Sequence, residues 1–187
     1  PELASTYFSQ TISSRQLLEL ITDIKTADRE EAGDIQQLEG ALAKFEKEIR
    51  DVRLVFSRED KRLNWLEVWE NSLLSVELTK MMISFQIVLD ILETASQRGK
   101  LLDNCWQRAK AYYNYIDIYI ETNNEESIRW IEIRGHHLYL NHTPVNISET
   151  FQKRLSEYNA TSIFTSATLA INDDFDYYTG QLGLEEC

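Results

Sequence analysis

The sequence predicts a mainly α protein: a helical bundle, then a small β-hairpin and a partial α/β segment. Three observations carry this. Gly and Pro number 6 and 2 of 187 residues, roughly a third of the usual combined share of about 12%. Chain breakers are therefore too scarce for an all-β sandwich. Apolar residues recur at helical spacing across residues 13–122. Between Ile128 and Leu140 the period shortens to two, as in paired strands.

Along the chain, Ser13 with Gln16 three places on reads as a capping box. Leu17, Leu18, Leu20, Ile21 and Ile24 then give a helix ending near Thr26. Gly33 and Asp34 mark the start of a second helix, in which Ile35, Leu38, Leu42, Phe45, Ile49, Val52 and Phe56 alternate steps of three and four. That stripe packs along its length against another helix. Leu63, Trp65, Leu66, Val68 and Trp69 suggest a helix over residues 61–72. Residues 73–92 are apolar nearly all round, which predicts a central helix buried on every side. Gly99 closes it. Leu102, Cys105, Trp106, Ala109, Tyr112, Tyr113, Ile116, Tyr119 and Ile120 hold the helical period to about residue 121. Ile128–Ile133 and Leu138–Leu140 read as a hairpin turning at Gly135. Ser148 caps a helix reaching Tyr158, Ser162–Thr165 reads as a short strand, and Asp173 and Asp174 open a last helix, Phe175–Leu182.

Composition narrows the classes. Apolar residues make up 43% and charged residues 27%, the mix of a folded domain. The net charge of −12 argues against broad phosphate binding, which rests on Lys and Arg. Two cysteines, Cys105 and Cys187, exclude a disulfide scaffold and a cysteine-rich metal site. They point to a reducing, cytoplasmic setting. No run of 18 apolar residues suggests a membrane span. The chain begins at Pro1, so it reads as a piece of a longer protein.

One string says more: Ile163-Phe-Thr-Ser-Ala-Thr-Leu-Ala170, then Phe175 and Leu182-Gly183-Leu184. An apolar strand ending in Thr-Ser-Ala-Thr-Leu resembles motif III of superfamily 2 helicases. With its trailing residues it resembles the XPD/DinG group of DNA helicases, and within it the bacterial DinG-like branch. Pro1-Glu-Leu-Ala4 is similar to the residues directly after the DEAH box in those proteins, and Asn141–Ser148 to the stretch before motif III.

This resemblance implies a layout. Residues 1–12 are a stub of the first motor domain, 13–122 the helical arch inserted in it, and 123–187 the return to the motor domain. It implies an ATP-dependent 5′-to-3′ DNA helicase acting in repair or replication. Thr165, Ser166, Ala167 and Thr168 would form motif III. There Ser166 and Thr168 bond the acidic ATPase motif and couple nucleotide state to DNA. The chain holds no phosphate loop and no Asp-Glu-x-His, so no catalytic residue is assigned and the chain alone is expected to be inactive. ATP, Mg and a 4Fe–4S cluster belong to the longer protein, and no cofactor or metal to this piece. Single-stranded DNA is the implied partner, with replication or repair proteins and no membrane. The alternative is a free-standing acidic helical interaction module.

Other residues carry two readings each. Lys44, Lys47, Arg50 and Arg53 recur every third residue, and Arg58, Lys61 and Arg62 lie just beyond. They form either a rail for strand phosphates or a solvated face paired with Glu46, Glu48 and Asp51. Trp65 and Trp69, and Tyr112, Tyr113, Tyr115 and Tyr119, either stack on bases or pack a core. His136, His137 and His142 are surface residues or an incomplete metal set. Cys105 is expected in the core. Asn141, Asn146 and Asn159 open three glycosylation sequons, the signature of the less favoured secreted reading.

Overall fold

A computed structural model describes residues 9–57, 59–70, 72–120, 127–144, 148–157, 163, 165, 175–182 and 184. Strand β1, Gln10–Ser13, runs straight into helix α1, Ser14–Glu31. The capping box forms as expected. Ser13 Oγ accepts from the Gln16 N–H at 3.2 Å, and Gln16 Oε1 accepts from the Ser13 N–H at 2.8 Å. The helix runs past Thr26 to Glu31, and Ala27 is also buried. Gly33, at φ +72, ends this helix rather than opening the next. Its N–H donates to Asp28 O at 2.7 Å, the left-handed exit that glycine adopts without strain.

Helix α2, Leu38–Leu54, buries Leu38, Leu42, Phe45, Ile49 and Val52 of the predicted stripe, while its two ends, Ile35 and Phe56, lie outside the helix and are half-buried. The next segment differs from expectation. Lys61–Asn64 forms a strand, β2, and only Trp65–Trp69 is helical, as α3. Asn64 Oδ1 caps α3 by accepting from the Leu66 N–H at 3.0 Å. Helix α4, Ser72–Ala95, continues into one 3-10 turn, Ser96–Arg98, and helix α5 spans Lys100–Ile120.

Four helices close a ring. α1 packs on α2 and α5, and α4 packs on α2 and α5. Phe45 of α2 and Phe85 of α4 stack with centroids 4.3 Å apart. A ring of four has no central member, so α4 is not buried all round as its composition suggested. Leu74, Leu78, Met81, Phe85, Val88 and Leu92 fill the core, while Leu73, Val76, Ile83 and Ile87 face solvent. The span Ser72–Arg98 is long and apolar enough to cross a membrane by length and composition. Here its buried side is bundle core.

Strands β3, Ser127–Arg134, and β4, His137–Pro144, form the predicted hairpin, with Gly135 at φ +54 in the turn. The sheet order is β1-β4-β3-β2. β2 runs antiparallel to β3, with Arg62 opposite Glu132 and Leu63 opposite Ile131. Alternation sorts the faces. Arg129, Ile131 and Ile133 are buried, as are Leu138 and Leu140. The sheet closes one end of the bundle. The Leu138 N–H donates to Ser14 Oγ at 3.1 Å, and Tyr115 of α5 donates to Leu140 O at 3.0 Å.

Helix α5 is held by charge at both ends. At its N-terminus Glu31 accepts from the N–H groups of Leu101 and Leu102, at 2.9 and 2.8 Å. At its C-terminus the buried Arg129 donates to Tyr119 O at 2.8 Å. A carboxylate at the first turn and a guanidinium at the last both oppose the helix dipole.

Two compact units are distinguished. One comprises Thr11–Asn124 with Arg129–His142, so the hairpin groups with the helices. The other comprises Pro1–Gln10, Glu125–Ile128 and Thr143–Cys187. In it helices α6, Ser148–Glu157, and α7, Asp176–Leu182, pack on each other.

Candidate nucleic-acid interface

The basic row on α2 is the first place to look. Three residues advance about 300° around an α-helix, so each step of three winds the row back by about 60°. Lys44 and Arg53 therefore stand about half a turn apart. Lys44 lines a groove with Ser84 and Ile87 of α4. Lys47 pairs with Asp51 at 2.6 Å, and Arg50 with Glu46 at 2.5 Å. Glu46 is shared with Lys25 of α1 at 3.4 Å. The Lys47 and Arg50 side chains are largely exposed, and such surface pairs are weak. Arg53 is fixed: it donates to Phe56 O, Ser57 O and, across to the hairpin, Gly135 O at 2.5 Å.

Beneath Lys47, Glu48, Asp51 and Glu77 bring carboxylate oxygens within 4.8 Å of one another. Glu48 is buried, and its Oε2 lacks a hydrogen-bond partner. Lys80 reaches Glu77 at 2.8 Å.

The solvent side of the sheet has a different character. Arg62 Cζ lies 4.1 Å from the Trp130 ring centroid, and Arg134 Cζ lies 5.3 Å from that of Tyr139. Arg134 Nη2 also donates to both Glu132 oxygens at 2.9 Å. Both arginines are exposed and both rings half-buried. A helical reading of residues 61–64 hides this face. The signal that could have found it is the alternation itself: Trp130, Glu132 and Arg134 occupy every second position of β3.

The aromatic pairs resolve toward packing. Trp65 and Tyr119 are fully buried, edge to face at 4.7 Å, and Trp69 lies 4.9 Å from Trp65. Burial pushes the Tyr115 and Tyr119 phenols far above their usual range. Cys105 is a buried free thiol, and desolvation holds its pKa above the ordinary thiol value, which disfavours the thiolate. His142 lies edge-on to Tyr115 at 6.4 Å. Burial, then Arg129, hold its pKa below the usual histidine value.

Of the motif III candidates, Thr165 is exposed. Ser166, Ala167 and Thr168 lie outside the described residues, as do Pro1–Ala4, Ser162 and Phe164 of the expected strand before motif III, and Cys187. The chain's two cysteines cannot supply the four thiolates of a 4Fe–4S cluster.

No protein-family model matches the chain. Its sequence is 32% identical over 186 residues to "ATP-dependent DNA helicase YoaA" of Escherichia coli (strain K12), covering 100% of this chain. It is 30% identical over 186 residues to the protein of the same name from Haemophilus influenzae, covering 99%. The chain spans 29% of the length of each of these curated relatives.

Proposed function

From the chain's homology, end to end, with a segment of the DinG-like YoaA helicases, we propose that it is the arch and adjoining motor segment of an ATP-dependent DNA helicase. One observation supports the insertion reading above others. The larger unit begins at Thr11 and ends at His142, and Thr11 Oγ1 donates to Asn141 Oδ1 at 2.8 Å. Entry and exit are neighbours. The four helices are thus a detour from one point in the chain and back to it.

Within this reading the longer, cytoplasmic protein binds ATP, Mg and a 4Fe–4S cluster through residues outside this chain. Thr165, Ser166, Ala167 and Thr168 couple nucleotide state to strand movement. Lys44, Lys47, Arg50 and Arg53 border the strand path. The exposed pairs of Lys47 and Arg50 exchange readily for phosphates, while the three carbonyl partners of Arg53 fix it in place. The enzyme acts 5′ to 3′ in repair or replication and meets the proteins of those processes.

The test is excision. In the full-length enzyme, residues 12–140 are replaced by a short Gly-Ser linker. DNA-stimulated ATP hydrolysis should persist, while duplex unwinding is lost. If ATP hydrolysis disappears with the helices, they are not a detour and the reading fails. The chain alone should show no ATPase activity above buffer.

A further inference from the structure

We infer that the solvent side of the sheet is a single-stranded nucleic-acid contact, in which Trp130 and Tyr139 stack bases and Arg62 and Arg134 hold the flanking phosphates. The inference rests on the helicase reading for the kind of strand involved. It rests on the sheet itself for the place.

The chain carries net charge −12, yet this face combines two exposed guanidinium groups with one carboxylate, Glu132. Local charge thus runs against the global excess. Each guanidinium lies over an aromatic ring. At an exposed site that contact is weaker than a base stacked on the same ring. An incoming base displaces the arginine from the ring face, and the freed guanidinium turns to a neighbouring phosphate. The arginines thus keep both rings shielded while the site is empty.

Neighbouring groups fit this use. Arg53, the last residue of the α2 row, donates to Gly135 O in the hairpin turn, which brings a third guanidinium beside the sheet. Asp60 is occupied on the Gly135 N–H at 2.6 Å. Glu132, tied to Arg134, limits the face to a few phosphates and so to modest affinity. A protein partner would instead need several apolar anchors between these charges; Leu73, Val76, Ile83 and Ile87 lie on α4, and Ile128 stands on this side of β3.

The experiment uses the whole chain and a fluorescently labelled dT20, read by anisotropy at 50 and 200 mM salt. Trp130→Ala and Tyr139→Ala should each weaken binding roughly tenfold with an unchanged salt slope. Trp130→Phe should restore most of it. Arg62→Gln with Arg134→Gln should lower the slope by about one to two units. Trp106→Phe and Lys110→Gln, a similar cation–ring pair on α5 at 5.2 Å, should leave binding unchanged. Circular dichroism checks that each variant is folded. Absence of dT20 binding at 50 mM salt overturns the inference, as does binding indifferent to the sheet variants. Either result leaves the helicase reading standing, since that reading falls only if the full-length enzyme fails the excision test.

Discussion

The two ends of the bundle solve one problem by different means. Each must satisfy the open backbone groups of α5. At the loop end a half-buried carboxylate, Glu31, takes two N–H groups near solvent. The salt bridge close by, Arg98 with Asp34, is exposed. At the sheet end a buried guanidinium, Arg129, takes a carbonyl beneath a layer of Trp65, Tyr119 and the sheet. The loop end is held by solvated charge, the sheet end by packing and one desolvated donor. The sheet end should therefore be the harder to disturb and the costlier to break.

Substitutions at the two ends sharpen that contrast. Trp65→Ala empties the middle of the sheet end and should cost about 3–5 kcal/mol. Urea unfolding monitored by circular dichroism measures it, and a loss under about 1 kcal/mol would mean the ring is not the keystone of that layer. Arg129→Gln removes the charged donor to Tyr119 O and should cost about 2 kcal/mol, read in the same assay.

Gly99→Ala works at the loop end. A Cβ there would collide with the Glu31 carboxylate, although the extended backbone suits any residue. Displacing Glu31 should cost about 1 kcal/mol. In a Glu31→Ala background Gly99→Ala should cost almost nothing more, because the group it displaces is already gone. Full additivity in that double-mutant cycle would refute the coupling.

The smallest effect is the pH dependence of the sheet end. Desolvation, aided by Arg129, lowers the His142 pKa in the folded state. The unfolded chain therefore binds the proton more readily. Stability from this residue is full above about pH 6.5 and falls as the pH drops below it. Thermal melts between pH 5 and 7 should slope less for His142→Gln than for the unaltered protein.

Much of the bundle was legible because its signals are local. The Ser13–Gln16 capping box, the stripe from Leu38 to Val52 and the hairpin at Gly135 each depend on residues a few places apart. The hidden parts depend on distant partners. Lys61–Asn64 becomes a strand only because β3 arrives some seventy residues later. Gln10–Ser13 pairs with β4 across an even longer gap. The apolar composition of α4 could not say that four helices leave one of its sides uncovered. The candidate interface was hidden for the same reason. Arg62 was visible as a basic residue, but its place over Trp130 comes from strand register, which no helical reading of residues 61–72 contains.

The double clamp on α5 has a mechanical corollary. A helix of 21 residues is about 31 Å long. Glu31 grips one tip and Arg129 the other, and both come from outside the helix. It cannot slide along its axis or twist without snapping a bond at one tip. α5 is thus a strut, tying the hairpin to the corner where α1 turns into α2.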